Sequence, residues 1–171
     1  AVFTSLFDDS FGGDTNNDGI CDPSNASSTA ACPSPGDWGS LVFASGAASS
    51  TLDRLVVRYG AAFCNGPCAA LQVNGAAITV SNATIEKNKF AGIRLENSAT
   101  TTISASVFRD HQTVPGVSQA IGLILISSKA LLDGVTFSQN QFGVVGDNSS
   151  ITLGPGGVTF SSNTTDDSPS G

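Results

Sequence analysis

Five stretches of the chain set small or apolar residues at alternate positions: LDRLVVRYGAAF (52–63), VSNATIEKNKF (80–90), ISASVFRDHQ (103–112), LDGVTFSQNQF (132–142) and PGGVTFSSNT (155–164). Alternation of this kind marks short strands half buried in a sheet. Aligned on Val57, Ile85, Phe108, Phe137 and Phe160, the stretches follow one another at intervals of 28, 23, 29 and 23 residues. The two long intervals hold insertions, around CNGPC (64–68) and TVPGVS (113–118), so the underlying period is close to 23.

The columns of this alignment agree in chemistry. Two residues before the anchor stand Leu55, Ala83, Ser106, Val135 and Val158; five before it stand Leu52, Val80, Ile103, Leu132 and Pro155. Three after it stand Gly60, Asn88, His111, Asn140 and Asn163. Upstream of each unit lies a further apolar run: GSLVF (39–43), ALQV (70–73), GIRL (92–95), GLILI (122–126) and GVV (143–145). Each unit therefore predicts two or three short strands broken at Gly, Asn or Ser. One unit cannot bury its own apolar face, whereas stacked units bury a continuous column. The recurring asparagine predicts a side-chain ladder bonded rung to rung, with His111 as a substitute in that column.

The motif G-I-x-L-x-N-S followed by V-x-F-x-x-N resembles that of the right-handed parallel β-helix family, the pectate-lyase-like superfold, over residues 39–164. The resemblance implies an all-β solenoid of about five to six rungs, ~25–30 Å tall at ~4.8 Å per rung. A β-sandwich of hairpins is the competing fold, but it would not demand matching columns. In the β-helix reading residues 1–171 form one domain: an insertion at 8–38, rungs at 39–164 and a polar tail at 165–171. AVFTSLFDD (1–9) reads as the last strand of a rung, with Phe3 in the anchor column. The stack would then begin on the final strand of one rung and end near Thr164 on that of another, with unpaired strand edges: either the chain is cut from a longer protein, or its ends meet partners.

Composition sharpens this picture. Charged residues are only 12% of the 171 and glycines number 19, which suits short strands and tight turns more than helices. The net charge is −7, and five of the 14 carboxylates lie between Asp8 and Asp22. Such a chain repels nucleic acid, and no basic cluster offsets the repulsion. No segment approaches the roughly 18–20 apolar residues of a membrane-spanning helix. No basic stretch opens the chain, so any signal peptide is read as already removed.

The four cysteines fall into two local pairs, Cys21 with Cys32 and Cys64 with Cys68, each bracketing a turn-rich loop. Two disulfides are expected, and with them an oxidising compartment; four buried thiols are the alternative. Asn25, Asn82, Asn148 and Asn163 stand in N-x-S/T tripeptides that permit N-glycosylation.

GGDTNNDGICD (12–22) carries the one motif with defined chemistry. Oxygen ligands at relative positions 1, 3, 5 and 9 with glycine at 6 match the spacing of calcium loops. Here they are Asp14, Asn16, Asp18 and Asp22, with the carbonyl of Ile20 at position 7. Position 12 is Asn25 rather than the glutamate of an EF-hand, so the loop looks more like the isolated DxNxDG loops of dockerins and thrombospondin-type repeats. Asp8, Asp9 or Asp37 could supply a further ligand. Calcium is expected over magnesium because the oxygens are many and the loop is flexible; an Asx-rich turn with no ion is the alternative. The ion and the Cys21–Cys32 bridge would pin an aperiodic insertion that is otherwise costly to order.

Catalytic constellations are harder to find. β-helices of this superfold often degrade acidic polysaccharides, by calcium and an arginine or lysine base or by paired aspartates. Arg58, Glu86 and Arg109 follow three successive anchors and alternate in sign, which reads as a solvated ion-pair ladder. Arg94 and Glu96 share a strand face and could line a sugar groove, though a solvated pair explains them equally. Asp110 beside His111 makes only a weak acid–base pair, and Asp53 and Asp133 read as turn residues. Trp38 and Tyr59 are too few for a sugar platform. The threonines of ATTTIS (99–104) are too irregular for ice binding. The expectation is a secreted or surface-anchored structural module, a stalk, adhesin or filament subunit meeting neighbours end to end, with no catalytic role. The alternative is a carbohydrate-binding or lyase-like cell-wall module.

Overall fold

The computed structural model describes residues 1–22, 24, 30–47, 49–62, 68–113 and 119–169, the last five by their backbone alone. The strands fall into three sheets. The first holds β1 (Val2–Phe3), β4 (Val56–Arg58), β7 (Thr84–Glu86), β10 (Val107–Arg109), β13 (Val135–Ser138) and β16 (Val158–Ser161). The second holds β2 (Leu41–Phe43), β5 (Ala69–Asn74), β8 (Ala91–Glu96), β11 (Ile121–Ile126), β14 (Phe142–Asp147) and β17 (Thr165–Pro169). The third holds β3 (Thr51–Asp53), β6 (Thr79–Ser81), β9 (Thr101–Ser104), β12 (Lys129–Asp133) and β15 (Ser150–Leu153). Each turn of the chain visits the third, first and second sheets in that order, and each strand pairs in parallel with its counterpart one rung away. This is a parallel β-helix; a sandwich of antiparallel hairpins is excluded.

The register is the one the anchor alignment predicts. Phe3 pairs with Val57, Val57 with Ile85, Ile85 with Phe108, Phe108 with Phe137 and Phe137 with Phe160. These side chains point inward, and those from Val57 to Phe137 are fully buried. The rings of Phe108 and Phe137 stack at 5.1 Å between centroids, and those of Phe137 and Phe160 at 5.6 Å. Leu71, Ile93 and Leu123 from the second sheet and Val80, Ile103 and Leu132 from the third complete the core. Gly92 occupies a place where a Cβ would lie 2.6 Å from His111 Nε2 and 2.8 Å from the Gly122 carbonyl oxygen, so the corner closes only over a bare backbone.

Sharp corners need one left-handed residue each. Between third and first sheets these are Arg54, Asn82, Ala105, Gly134 and Gly157; two places after each anchor they are Tyr59, Lys87, Asp110, Gln139 and Ser162. Most are not glycine, so the left-handed backbone carries a steric cost. Rung-to-rung bonds offset it: the amides of Arg54, Asn82 and Ala105 donate to the carbonyls of Ser81, Ser104 and Asp133 at 2.9–3.1 Å.

One expectation is corrected. The tail at 165–171 is not wholly irregular, because Thr165–Pro169 forms β17 and extends the second sheet beyond β14. Between β1 and β2 the chain passes from the first sheet to the second.

Candidate functional site

In the insertion, Asp14 folds its carboxylate back over the loop that follows. Its Oδ1 accepts from the Asp18 amide at 3.1 Å and its Oδ2 from the Gly19 amide at 3.0 Å. Asn17 and Gly19 take the positive φ values this turn requires. Asp18 Oδ2 accepts from the Ala31 amide, tying the loop to its far side. Asp22 turns away, its Oδ1 accepting from the amide and hydroxyl of Ser24 at 2.9 and 2.6 Å. Ile20 is exposed.

Two oxygens here are buried without a hydrogen-bond partner: Asn16 Oδ1 and Asp9 Oδ1. The other Asp9 oxygen accepts from the Cys21 amide at 2.7 Å. Asp37 Oδ2 accepts from both Ser5 Oγ and the Ser34 amide, and Asp8 is taken up by Arg58; among the three further candidates the buried oxygen without a partner is Asp9 Oδ1. The donor chemistry and the two orphaned oxygens fit a hard cation such as calcium. The carboxylates of Asp14, Asp18 and Asp22 are spread rather than gathered: among the described residues, no three acidic, histidine or cysteine side chains stand together as a metal cluster.

Cys21 and Cys32 form a disulfide with their Cα atoms 5.0 Å apart. Cys68 is also disulfide-bonded; Cys64, its expected partner, lies outside the described residues, as does Asn25.

The charged column of the first sheet overturns the surface reading. Arg58 and Glu86 point outward from β4 and β7 yet are 8% and 5% exposed. Arg58 Nε lies 3.3 Å from Glu86 Oε1 and 3.5 Å from Asp8 Oδ2. Glu86 Oε2 takes both Nε and Nη2 of Arg109, at 2.8 and 2.6 Å. The guanidinium of Arg58 also faces the rings of Tyr59 and Phe11 at 4.9 and 5.3 Å. The cover comes from the insertion, a long-range contact that no rung period announces. Burial alone would raise the Asp8 carboxyl. Hydrogen bonds from Ser10 and Thr4 and the charge of Arg58 outweigh it and hold the group below the usual carboxylate range.

The corner ladder forms as the asparagine column predicts. The amides of Gly60, His111 and Asn140 donate to Oδ1 of Asn88, Asn140 and Asn163, at 2.8, 3.2 and 3.0 Å. Nδ2 of Asn88, Asn140 and Asn163 donates back to the carbonyls of Val57, Phe108 and Phe137. His111 takes only half of this role. Its Nδ1 accepts from the Asn88 amide at 3.4 Å, while Nε2 is buried with no partner. Burial pushes its pKa down to about 3, so the ring is neutral. A second ladder was missed: the Ser98 and Ser128 amides donate to Oγ of Ser128 and Ser149, each at 3.0 Å. Its signal is the Asn-Ser or Ser-Ser pair that ends the runs of β8, β11 and β14.

Arg94 and Glu96 pair with each other at 2.9 Å on β8. Asp53 accepts from Ser81 and Asn82, and Asp133 from the Gly156 amide, as turn residues do. Asn82 and Asn148 are exposed at left-handed corners, whereas Asn163 is a rung of the ladder. No described helix is long and apolar enough to cross a membrane. A family model described as a right handed beta helix region matches residues 44–170. No curated protein and no solved structure matches the chain significantly.

Proposed function

The chain belongs to the right-handed β-helix family, and from that premise we propose that it is a calcium-stabilised structural module of an extracellular protein, acting as a stalk, adhesin or filament subunit and not as a catalyst. The observation that carries this reading is the bonding of one rung to the next along its columns. Inward rings, corner asparagines and corner serines all hold their counterparts one rung away, and the polar groups nearest the core serve the column itself. The product is a stiff rod that sets a distance.

Its ends supply the contact. Among the described residues, strands β1, β2 and β3 pair on one side only, as do β15, β16 and β17. Inward Leu153 is 61% exposed, whereas Leu132, its neighbour in the same column, is 1% exposed. Three parallel edges around an apolar centre fit another such rung, supplied by a second copy of this chain or by a neighbouring domain of the same protein. The disulfides favour an oxidising compartment, where millimolar calcium would fill even a weak loop. Glycans would sit at the exposed Asn82 and Asn148.

The test is light scattering with negative-stain microscopy, in calcium and then in EDTA. End-to-end oligomers are expected, with Asp14→Ala weakening them through the insertion. A monodisperse monomer in both conditions overturns the assembly reading. Specific binding or cleavage of an acidic polysaccharide would replace the structural reading with a carbohydrate-active one.

A further inference from the structure

Where the insertion meets the corner after the first sheet, the two form a cavity of about 470 Å³. That volume lies within the usual range of small-molecule sites, roughly 300–1,000 Å³. The rungs build one side. Tyr59 and Lys87 take the left-handed corner position of successive rungs, two places after the anchors, and both line the cavity beside Arg58. The insertion builds the other side with Asp8, Asp9 and the Cys21–Cys32 bridge, and Ile20 and Pro33 add apolar surface. Most charges near this cavity are matched. Arg58 has Asp8 at 3.5 Å and Glu86 at 3.3 Å. Glu86 also holds Arg109, and Asp110, which follows Lys87 in the corner column, lies 3.8 Å from Arg109. Two charges are left over. Among the described residues Lys87 has no ion-pair partner. Asp9 Oδ2 accepts from the Cys21 amide at 2.7 Å, but its Oδ1 is buried without a hydrogen-bond partner. Tyr59 adds a spare donor. Its hydroxyl oxygen accepts from Arg58 Nη2 at 3.2 Å, and its own proton is unspent among the described residues.

We propose that this cavity binds a small zwitterion, an α-amino acid with an apolar side chain. Its ammonium group meets Asp9, its carboxylate meets Lys87 and the Tyr59 hydroxyl, and its side chain lies against Ile20 and Pro33. The argument is one of charge. A ligand of one sign pairs with one of the two leftover groups and sets a like charge near the other, whereas a ligand with both signs serves both. A neutral polyol makes hydrogen bonds but leaves both charges without a counter-charge. The buried Asp9 oxygen strengthens the case, because a carboxylate oxygen held from water without a donor costs free energy that a ligand N–H recovers. The site is also firmly placed. Cys21 is tied to Cys32 by the bridge and to Asp9 by its amide, and Lys87 and Tyr59 stand on paired rungs. Asp9 is also the further oxygen open to a calcium ion in the neighbouring loop, so the two ligands would compete there.

The experiment is titration calorimetry with thermal unfolding on the full chain, in calcium and in EDTA. The probes are leucine, N-acetylleucine, leucinamide and glucose. Leucine should bind at millimolar concentration and raise the unfolding midpoint in at least one of the two conditions. N-acetylleucine lacks the ammonium group and leucinamide lacks the carboxylate, so each should bind roughly tenfold more weakly or worse. Lys87→Ala should weaken leucine by a similar factor and leave leucinamide as it was. Asp9→Asn should weaken leucine and leave N-acetylleucine as it was. No heat and no shift with leucine in either condition overturns the site. Equal binding of leucine and its two blocked analogues, or of leucine and glucose, overturns the zwitterion as its ligand. The blocked analogues probe the unaltered chain, so this comparison stands even if a variant fails to fold.

Discussion

A corner asparagine in the rungs and an aspartate in the insertion do similar work over different spans. Asn140 bonds to the amide of His111 and the carbonyl of Phe108, a full rung away in sequence. Asp14 bonds to Asp18 and Gly19, four and five residues on. The first arrangement passes order along a column, since each bond presupposes the neighbouring rung. The second closes a loop on itself and is clasped by a bridge within the insertion, Cys21–Cys32. A periodic region therefore gains stability from its length, whereas an aperiodic one must be pinned point by point.

The comparison can be broken most forcefully in the core. Phe137→Ala removes the middle ring of a stack and should cost about 3–5 kcal/mol, read as a lower midpoint of the main denaturant transition. Asn140→Ala should cost about 1–3 kcal/mol for each buried group it orphans, the His111 amide and the Phe108 carbonyl. Reduction of the Cys21–Cys32 bridge in the Cys64→Ser/Cys68→Ser variant, where it is the one disulfide left, should loosen residues 9–32 by about 2–4 kcal/mol. Hydrogen exchange would report that loosening, with the rungs unmoved. If the rungs soften as well, the two regions are not separable.

The smallest effect sharpens the ladder from the opposite direction. His111→Asn restores the side-chain donor that Asn88, Asn140 and Asn163 supply at this corner and should stabilise the fold by about 1 kcal/mol. It should also change the response to pH. The unfolded histidine takes a proton near 6.5, the folded one only near 3. Between those values the unfolded chain binds more protons, so stability falls as pH drops below 6.5 and is fully present above it. The asparagine variant should lose that share of the slope.

Why some of this was legible follows from the same contrast. The register from Val57 to Phe160 could be read because each rung repeats the demand for an inward apolar side chain. The asparagine column could be read because each corner repeats the demand for an acceptor and a donor. The serine ladder carried the same kind of signal in Asn97-Ser98, Ser127-Ser128 and Asn148-Ser149, in a residue type common throughout the chain. Arg58 and Glu86 were misplaced on an open surface because their cover, Asp8 and Phe11, belongs to a segment with no period. β17 was missed because Thr165–Pro169 reads TDDSP, with no alternation of apolar residues to mark a strand. The spacing of Asp14, Asn16 and Asp18 points to oxygen chemistry, but spacing does not say that Asp22 turns to Ser24 or that Asp9 keeps an oxygen beside the bridge.

The most direct test of the division between a self-propped column and a pinned insertion is hydrogen exchange in calcium and in EDTA. The account predicts that calcium slows exchange in peptides spanning residues 9–22 and leaves those spanning 79–164 unchanged. Equal exchange at residues 9–22 in both conditions, or slowing of the rungs as large as that of the loop, would contradict it.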